Sequence, residues 1–139
     1  MTQRVFVDTD VILDLLLARE PFFAAATRFF LLLQERRIEG FTTPVVFSNL
    51  FYILRQGMPA PEAVTALRKL RLLVGVLPME EGTIDAALAS SFADFEDGLQ
   101  YYAATASRMD AIVTRNKKDF RSAEIPVLNA EECVQWIEL

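Results

Sequence analysis

The first apolar segment of the chain predicts a buried strand that leads directly into a helix. Residues 5–7 are apolar, β-branched or aromatic, which is typical of a short strand buried on both faces. Apolar residues then recur at helical spacing over 11–16, with Asp10 and Asp14 on the other side. Asp8 lies at the junction. It either caps the helix or belongs to a site at the carboxyl end of the strand.

The rest of the chain alternates between helical and strand-like patterns. Further strands are predicted at 41–43, 74–78, 110–114 and 125–128, and further helices at 22–38 (closed by Gly40), 45–56, 61–73, 84–90, 92–109 and 130–137 (capped by Asn129). This alternation predicts a three-layer α/β/α sandwich around a central parallel sheet of about five strands. No repeat or linker interrupts it, so residues 1–139 are interpreted as one domain.

Composition indicates a globular protein, because 53% of the residues are hydrophobic and 24% are charged. No apolar stretch approaches the roughly 18 residues that a membrane span needs. Acidic residues interrupt the apolar N-terminal stretch, which is unlike a signal peptide. The single cysteine, Cys133, allows no internal disulfide. We therefore expect a cytoplasmic protein without a membrane partner.

The absence of histidine narrows the chemistry. It excludes histidine general bases, Ser-His-Asp and Cys-His nucleophiles, and zinc sites with histidine ligands. The net charge of −5 argues against a broad basic surface for nucleic acid, although it permits local contact through a metal. Catalysis would have to depend on carboxylates, amines, hydroxyls or a bound metal.

Three segments place polar groups at the ends of buried elements: Asp8, the cluster of Asp94, Glu96 and Asp97, and the range 114–119. The acidic cluster alone is also explained by helix capping. If the first and fourth strands are neighbours, Asp8 and the range 114–119 face each other across one crevice. Carboxylates so close repel one another unless a cation lies between them, and oxygen ligands suit Mg²⁺ or Mn²⁺. This pattern favours metal-assisted phosphodiester hydrolysis.

Three motifs along the chain resemble those of the PIN-domain family of metal-dependent nucleases, in particular the small prokaryotic group that includes VapC-like toxins. The first is Val7-Asp8-Thr9-Asp10-Val11-Ile12-Leu13-Asp14, which follows the strand–Asp-Thr-Asn–helix pattern. The second is Asp94-Phe95-Glu96-Asp97-Gly98-Leu99-Gln100. The third is Val113-Thr114-Arg115-Asn116-Lys117-Lys118-Asp119-Phe120. The resemblance covers essentially the whole chain.

The resemblance implies a Mg²⁺- or Mn²⁺-dependent endoribonuclease. Asp8 and Asp97 would hold the metal directly, and Asp94 and Asp119 would complete the site or act through water, with Asn116 as the alternative to Asp119 at the last position. Asn49, Thr114 and Asn116 would orient water or substrate. Thr114 would be a polar site residue. The family also implies an RNA substrate, a homodimer and, for toxin members, an antitoxin partner lying over the apolar helices and the acidic cleft.

One position departs from the family pattern. The family usually has a glutamate in the helix after the second strand, and Asn49 occupies that place here. The site therefore loses a negative charge, so a catalytically weak or inactive binding module is the alternative function. A receiver-like phosphotransfer domain is discounted, because the third strand ends in Leu77-Pro78 rather than in a phosphoacceptor aspartate.

Two further questions stay open from the sequence. Arg115, Lys117 and Lys118 either contact phosphate or form a solvated basic loop. The phenylalanine-rich helix at 22–38 either forms a second apolar surface for a partner or is enclosed in the core.

Overall fold

The computed structural model describes residues 2–138, in which five strands alternate with seven α-helices. The elements are β1 (Gln3–Val7), α1 (Thr9–Leu16), α2 (Phe23–Gln34), β2 (Ile38–Thr42), α3 (Pro44–Leu54), α4 (Ala60–Arg71), β3 (Val74–Val76), α5 (Glu81–Leu88), α6 (Phe95–Ala106), β4 (Ala111–Val113), β5 (Val127–Leu128) and α7 (Ala130–Glu138). A 3-10 helix, Lys117–Phe120, lies between β4 and β5.

All five strands form one parallel sheet in the order β3-β2-β1-β4-β5. Val5, Phe6 and Val7 of the central strand are fully buried. Since successive strand residues point to opposite faces, both faces of the sheet must be covered. This confirms the predicted α/β sandwich with a central parallel sheet.

The register of the central pair sets the position of the site. Val7 of β1 lies opposite Val113 of β4, so both strands end at the same level. The backbone N–H of Asp8 then donates to the carbonyl of Val113 at 3.0 Å. The residues that follow the two strands, Asp8 and Thr114, are therefore neighbours at one edge of the sheet.

Side-chain caps define the helix starts next to this edge. Asp8 accepts a hydrogen bond from the N–H of Thr9 at 2.8 Å, and Asp94 accepts one from the N–H of Asp97 at 3.0 Å. Asn129 accepts from the N–H of Glu132 at 2.8 Å, which confirms its predicted role as a cap. The helix predicted from position 92 begins only at Phe95, because the cap at Asp94 fixes its start.

The helix predicted over 22–38 is shorter than expected, and the role predicted for Gly40 is wrong. α2 ends at Gln34, and Arg36 adopts a left-handed conformation (φ 59°) that reverses the chain. Gly40 instead lies inside β2, where an added Cβ would be 2.8 Å from Cδ2 of Leu33. The glycine is required by the close approach of α2 to the sheet, not by a helix end.

The open question about the phenylalanines of α2 is answered in favour of the core. Phe29 and Phe30 are buried, and their rings meet edge to face at 5.3 Å. Among the large apolar side chains of this region, Phe22, which precedes α2, and Leu31 are substantially exposed.

None of the helices within 2–138 has the length and apolar character needed to cross a membrane.

Gly40→Ala should lower the free energy of unfolding by about 1–3 kcal/mol, because the new methyl group meets the buried Leu33 side chain. Gly82→Ala is the matched control. Nothing lies within 4 Å of a Cβ at Gly82, which is in α5, so stability should be unchanged or raised by up to about 1 kcal/mol. Urea unfolding measures both. Equal midpoints for Gly40→Ala and the wild type would contradict this account of the α2–β2 contact.

Candidate metal centre

A cleft of about 490 Å³ opens beyond the carboxyl ends of β1 and β4. Ligands commonly bind at this edge of parallel sheets. The polar residues that line it are Asp8, Thr9, Asp10, Arg19, Asn49, Tyr52, Glu96, Asp97, Asn116 and Asp119. Five of the seven predicted site residues therefore share one cleft. The other two, Thr114 and Asp94, lie beside it.

Thr114 lies directly behind Asp8. Its buried hydroxyl donates to Oδ2 of Asp8 at 2.8 Å and accepts a hydrogen bond from the N–H of Asn116 at 3.1 Å. The other oxygen of Asp8 accepts from the N–H of Thr9. Asp8 consequently does both things considered from the sequence: it caps α1 and lines the cleft.

Asp10 was not among the residues predicted for the site. Its Oδ2 accepts hydrogen bonds from the N–H of Arg115 at 3.1 Å and from the amide of Asn116 at 3.2 Å. Its Oδ1 is buried and has no hydrogen-bond partner within residues 2–138. An unpaired buried acceptor is costly, so this oxygen is suited to a water or a cation. The sequence feature that could have identified Asp10 is its position two residues after Asp8, in the first turn of the same helix.

Asp97 comes from the first turn of α6 and is half-buried in the cleft. Burial and the nearby Asp94, Asp119, Asp8 and Glu96 carboxylates raise the pKa of Asp97 to about 7. Burial, with the charge of Asp10 next, raises the pKa of Asp8 to about 6. The cleft therefore holds negative charge at an electrostatic cost that a bound cation would relieve.

Asn49, where the sequence resemblance leads us to expect a glutamate, binds a carboxylate from another helix. Its side-chain amide donates to Oε1 of Glu96 in the first turn of α6. Glu96 was not among the predicted metal ligands or catalytic residues. It nevertheless lines the same cleft, so a carboxylate is present next to the position where Asn49 leaves a neutral side chain.

Asp94 is not among the residues that line this cleft. Its Oδ1 serves as the cap of α6, and the residue lines a second cleft of about 300 Å³ on the other side of Asp97 and Asp119. Those two residues belong to both clefts. Asp94, one of the four metal-site carboxylates predicted from the sequence, therefore lies beside the cleft that contains Asp8, Asp97 and Asp119 and not in it.

The basic residues after β4 have different environments. Arg115 forms a two-pronged ion pair with the buried Asp14, at 2.7 and 3.1 Å, and its guanidinium stacks 3.9 Å from the Phe22 ring centre. Lys117 forms an ion pair with Glu132. Both are thus engaged with the protein itself. Asp14 was also not predicted to matter, yet it fixes the segment that carries Thr114 and Asn116.

The donor set fits a hard divalent cation in an open site. Within residues 2–138, no three or more acidic or cysteine side chains are grouped so that together they could hold a metal ion. Mg²⁺ commonly binds through one or two carboxylates and keeps several waters, so a closed cage is not required. The unpaired Oδ1 of Asp10 and the raised pKa values of Asp8 and Asp97 are consistent with such a site.

A match to a known protein family shows which family this chain belongs to. The model of the PIN domain matches residues 4–118, which is most of the chain. The chain belongs to the PIN-domain family. This confirms the family resemblance of the three motifs. The match stops one residue before Asp119, which the structure places in the lining of the cleft.

Solved structures share the fold at low sequence identity. FitAB bound to an IR36 DNA fragment matches with a TM-score of 0.71 and 17% identity, over 91% of this chain and 95% of that chain. VapBC2 from Rickettsia felis, bound to a promoter DNA fragment, matches at 0.66 and 12%, over 91% and 98%. The sarcin-ricin-loop-cleaving toxin VapC20 from Mycobacterium tuberculosis matches at 0.61 and 18%, over 78% and 86%. A search of curated proteins by sequence finds no match.

The raised pKa of Asp97 predicts a pH-dependent stability. The folded protein binds this proton more tightly than the unfolded chain, whose pKa is near 3.8. Asp97 therefore has no effect below about pH 4, and it destabilises the fold progressively as the pH rises towards about 7. Asp97→Asn should melt close to the wild type at low pH and above it at pH 8.

Asp85→Asn is the control for this experiment, because it removes the same charge from an exposed position in α5 outside the cleft. The melting temperature of each variant relative to the wild type, followed from pH 4 to pH 8, is the measurement. A difference for Asp97→Asn that does not grow with pH would contradict the raised pKa.

Proposed function

We propose that this chain is a Mg²⁺- or Mn²⁺-dependent endoribonuclease built as one PIN domain over residues 1–139. The observation that carries the proposal is the meeting of Asp8, Asp97 and Asp119, from three separate segments, in one cleft at the strand ends. The family membership supports a nuclease, and the description of VapC20 as a sarcin-ricin-loop-cleaving toxin supports RNA as the substrate.

In this proposal Asp8 and Asp97 would hold the cation directly, and Asp119 would hold it directly or through water. Bound there, the cation supplies positive charge that activates water and offsets charge at the phosphodiester. Asp94 positions Asp97 by capping its helix. With no histidine in the chain, proton transfer depends on the carboxylates of this cleft and on water.

The remaining site residues orient the ligands. The hydroxyl of Thr114 favours the ionised form of Asp8, since its hydrogen bond lowers the pKa of Asp8 against the larger effect of burial. Asn116 holds Asp10 through its amide. Asn49 holds Glu96, which supplies the negative charge that a glutamate at position 49 would otherwise provide.

We further propose that the chain is the toxin of a toxin–antitoxin pair, acts in the cytoplasm and forms a homodimer. Support for a partner comes from FitAB and VapBC2, which share the fold and were solved as complexes on DNA. The alternative is a PIN-fold binding module with little activity. It is favoured by the neutral Asn49, and by the finding that within 2–138 no three acidic side chains are grouped so that they could hold a metal ion together.

Asp8→Asn and Asp97→Asn should each reduce metal-dependent RNA cleavage to the level seen with chelator. The amide keeps the shape of the side chain and removes the charge that binds the cation. Asn is as good a helix cap as Asp, so Asp8→Asn should still fold. The measurement is cleavage of a mixed RNA pool with Mn²⁺, with Mg²⁺ and with chelator, beside melting curves.

Asp85→Asn serves again as the control and should cleave as the wild type does. Cleavage that persists in Asp97→Asn would remove Asp97 from the metal site. No cleavage by folded wild-type protein, freed of any co-purified antitoxin, would favour the binding module.

A further inference from the structure

The second cleft, of about 300 Å³, is directly joined to the acidic cleft through Asp97 and Asp119. Its other lining residues are Ser91, Phe92, Ala93, Asp94, Lys118, Arg121 and Ser122. The lining of this cleft therefore combines three carboxylates with two cations and two hydroxyls. The acidic cleft alone offers a single basic side chain, Arg19.

The two cations are held in place by the 3-10 helix after β4. Phe120, which is 1% exposed, anchors this helix in the core, and its ring lies 6.2 Å from that of Phe92 at the base of the cleft. The Nε–H of Arg121 donates to the backbone carbonyl of Lys118 at 3.2 Å. This hydrogen bond holds the guanidinium of Arg121 next to the backbone of Lys118.

Lys118 and Arg121 differ from the other basic residues of this segment. Within residues 2–138 neither forms an ion pair, although three carboxylates line the same cleft. Arg115 and Lys117, by contrast, are paired with Asp14 and Glu132. Hydrogen bonds from Asn129 and Lys117 lower the pKa of Glu132, which keeps that pair charged. Of the four basic residues in 115–121, Lys118 and Arg121 are the two without an ion pair within residues 2–138.

We propose that the second cleft binds a backbone phosphate of the RNA strand next to the phosphate that is cleaved, through Lys118 and Arg121. This inference rests on the proposed function. A polyanion that approaches a cleft of carboxylates in a chain of net charge −5 needs local positive charge, and a guanidinium fork matches phosphate oxygens. The exposed hydroxyls of Ser91 and Ser122 add neutral donors.

The test compares Lys118→Gln/Arg121→Gln with Lys117→Gln, which removes a charge from the same segment on the side paired with Glu132. Binding of a labelled single-stranded RNA is measured by fluorescence anisotropy as a function of salt, in an Asp8→Asn background that prevents cleavage. For single strands the slope of log affinity against log salt changes by about 0.7 per phosphate contact. Because both cations contact the same phosphate, the double variant should show a slope shallower by about 0.7, and Lys117→Gln should show the slope of the Asp8→Asn parent.

Steady-state cleavage provides the second readout. With Asp8 intact, the double variant should show a raised KM and an unchanged kcat, because the phosphate contact lies outside the metal site. Equal salt slopes for the double variant and its parent would overturn the proposal. An equal decrease of the salt slope in Lys117→Gln would also overturn it. So would a failure of the parent protein to bind the RNA at all.

The two proposals fail in different ways. If the wild type cleaves RNA and the double variant is unaffected, the phosphate site is wrong and the nuclease stands. If no metal supports cleavage but the salt slope changes as expected, the nuclease is wrong and the phosphate site stands.

Discussion

The hydrogen bond from Thr114 to Asp8 joins two segments that are 106 residues apart and fixes the edge of the sheet where the site forms. It is possible only because β1 and β4 are parallel neighbours that end at the same level. The same register brings Asn116 to Asp10 and the backbone of Arg115 to the start of α1. A shift of the pairing by one residue would separate all of these contacts.

This arrangement concentrates negative charge, and the surrounding structure holds it there. Asp97 is presented by a helix whose cap is another carboxylate, and Asp8 is presented by a strand end that is buried by its neighbours. Burial and mutual repulsion raise the pKa of both groups. The fold alone therefore does not favour the ionised cluster. A divalent cation would favour it, which links the electrostatics of the cleft to the proposed chemistry.

The sequence was sufficient to predict features that depend on the local pattern of apolar and polar residues. Buried apolar runs located β1 and β4, and the polar residues after them identified Asp8, Thr114 and Asn116. Several features that depend on contacts between distant segments were missed. Gly40 looked like a helix end because its close contact with Leu33 is a tertiary one. The Arg115–Asp14 and Asn49–Glu96 pairs join residues 101 and 47 positions apart, and no local pattern predicts them.

We propose that a divalent cation is held by Asp8 and Asp97. Calorimetric titration of the folded protein with Mn²⁺ near pH 6, in buffers of different ionisation enthalpy, measures both the binding and the protons released by it. The pKa values of about 6 and 7 predict that binding releases protons near pH 6, that the release disappears well above pH 7, and that Asp97→Asn diminishes it. Absence of Mn²⁺ binding, or binding of equal strength and proton release in Asp97→Asn, would contradict the claim.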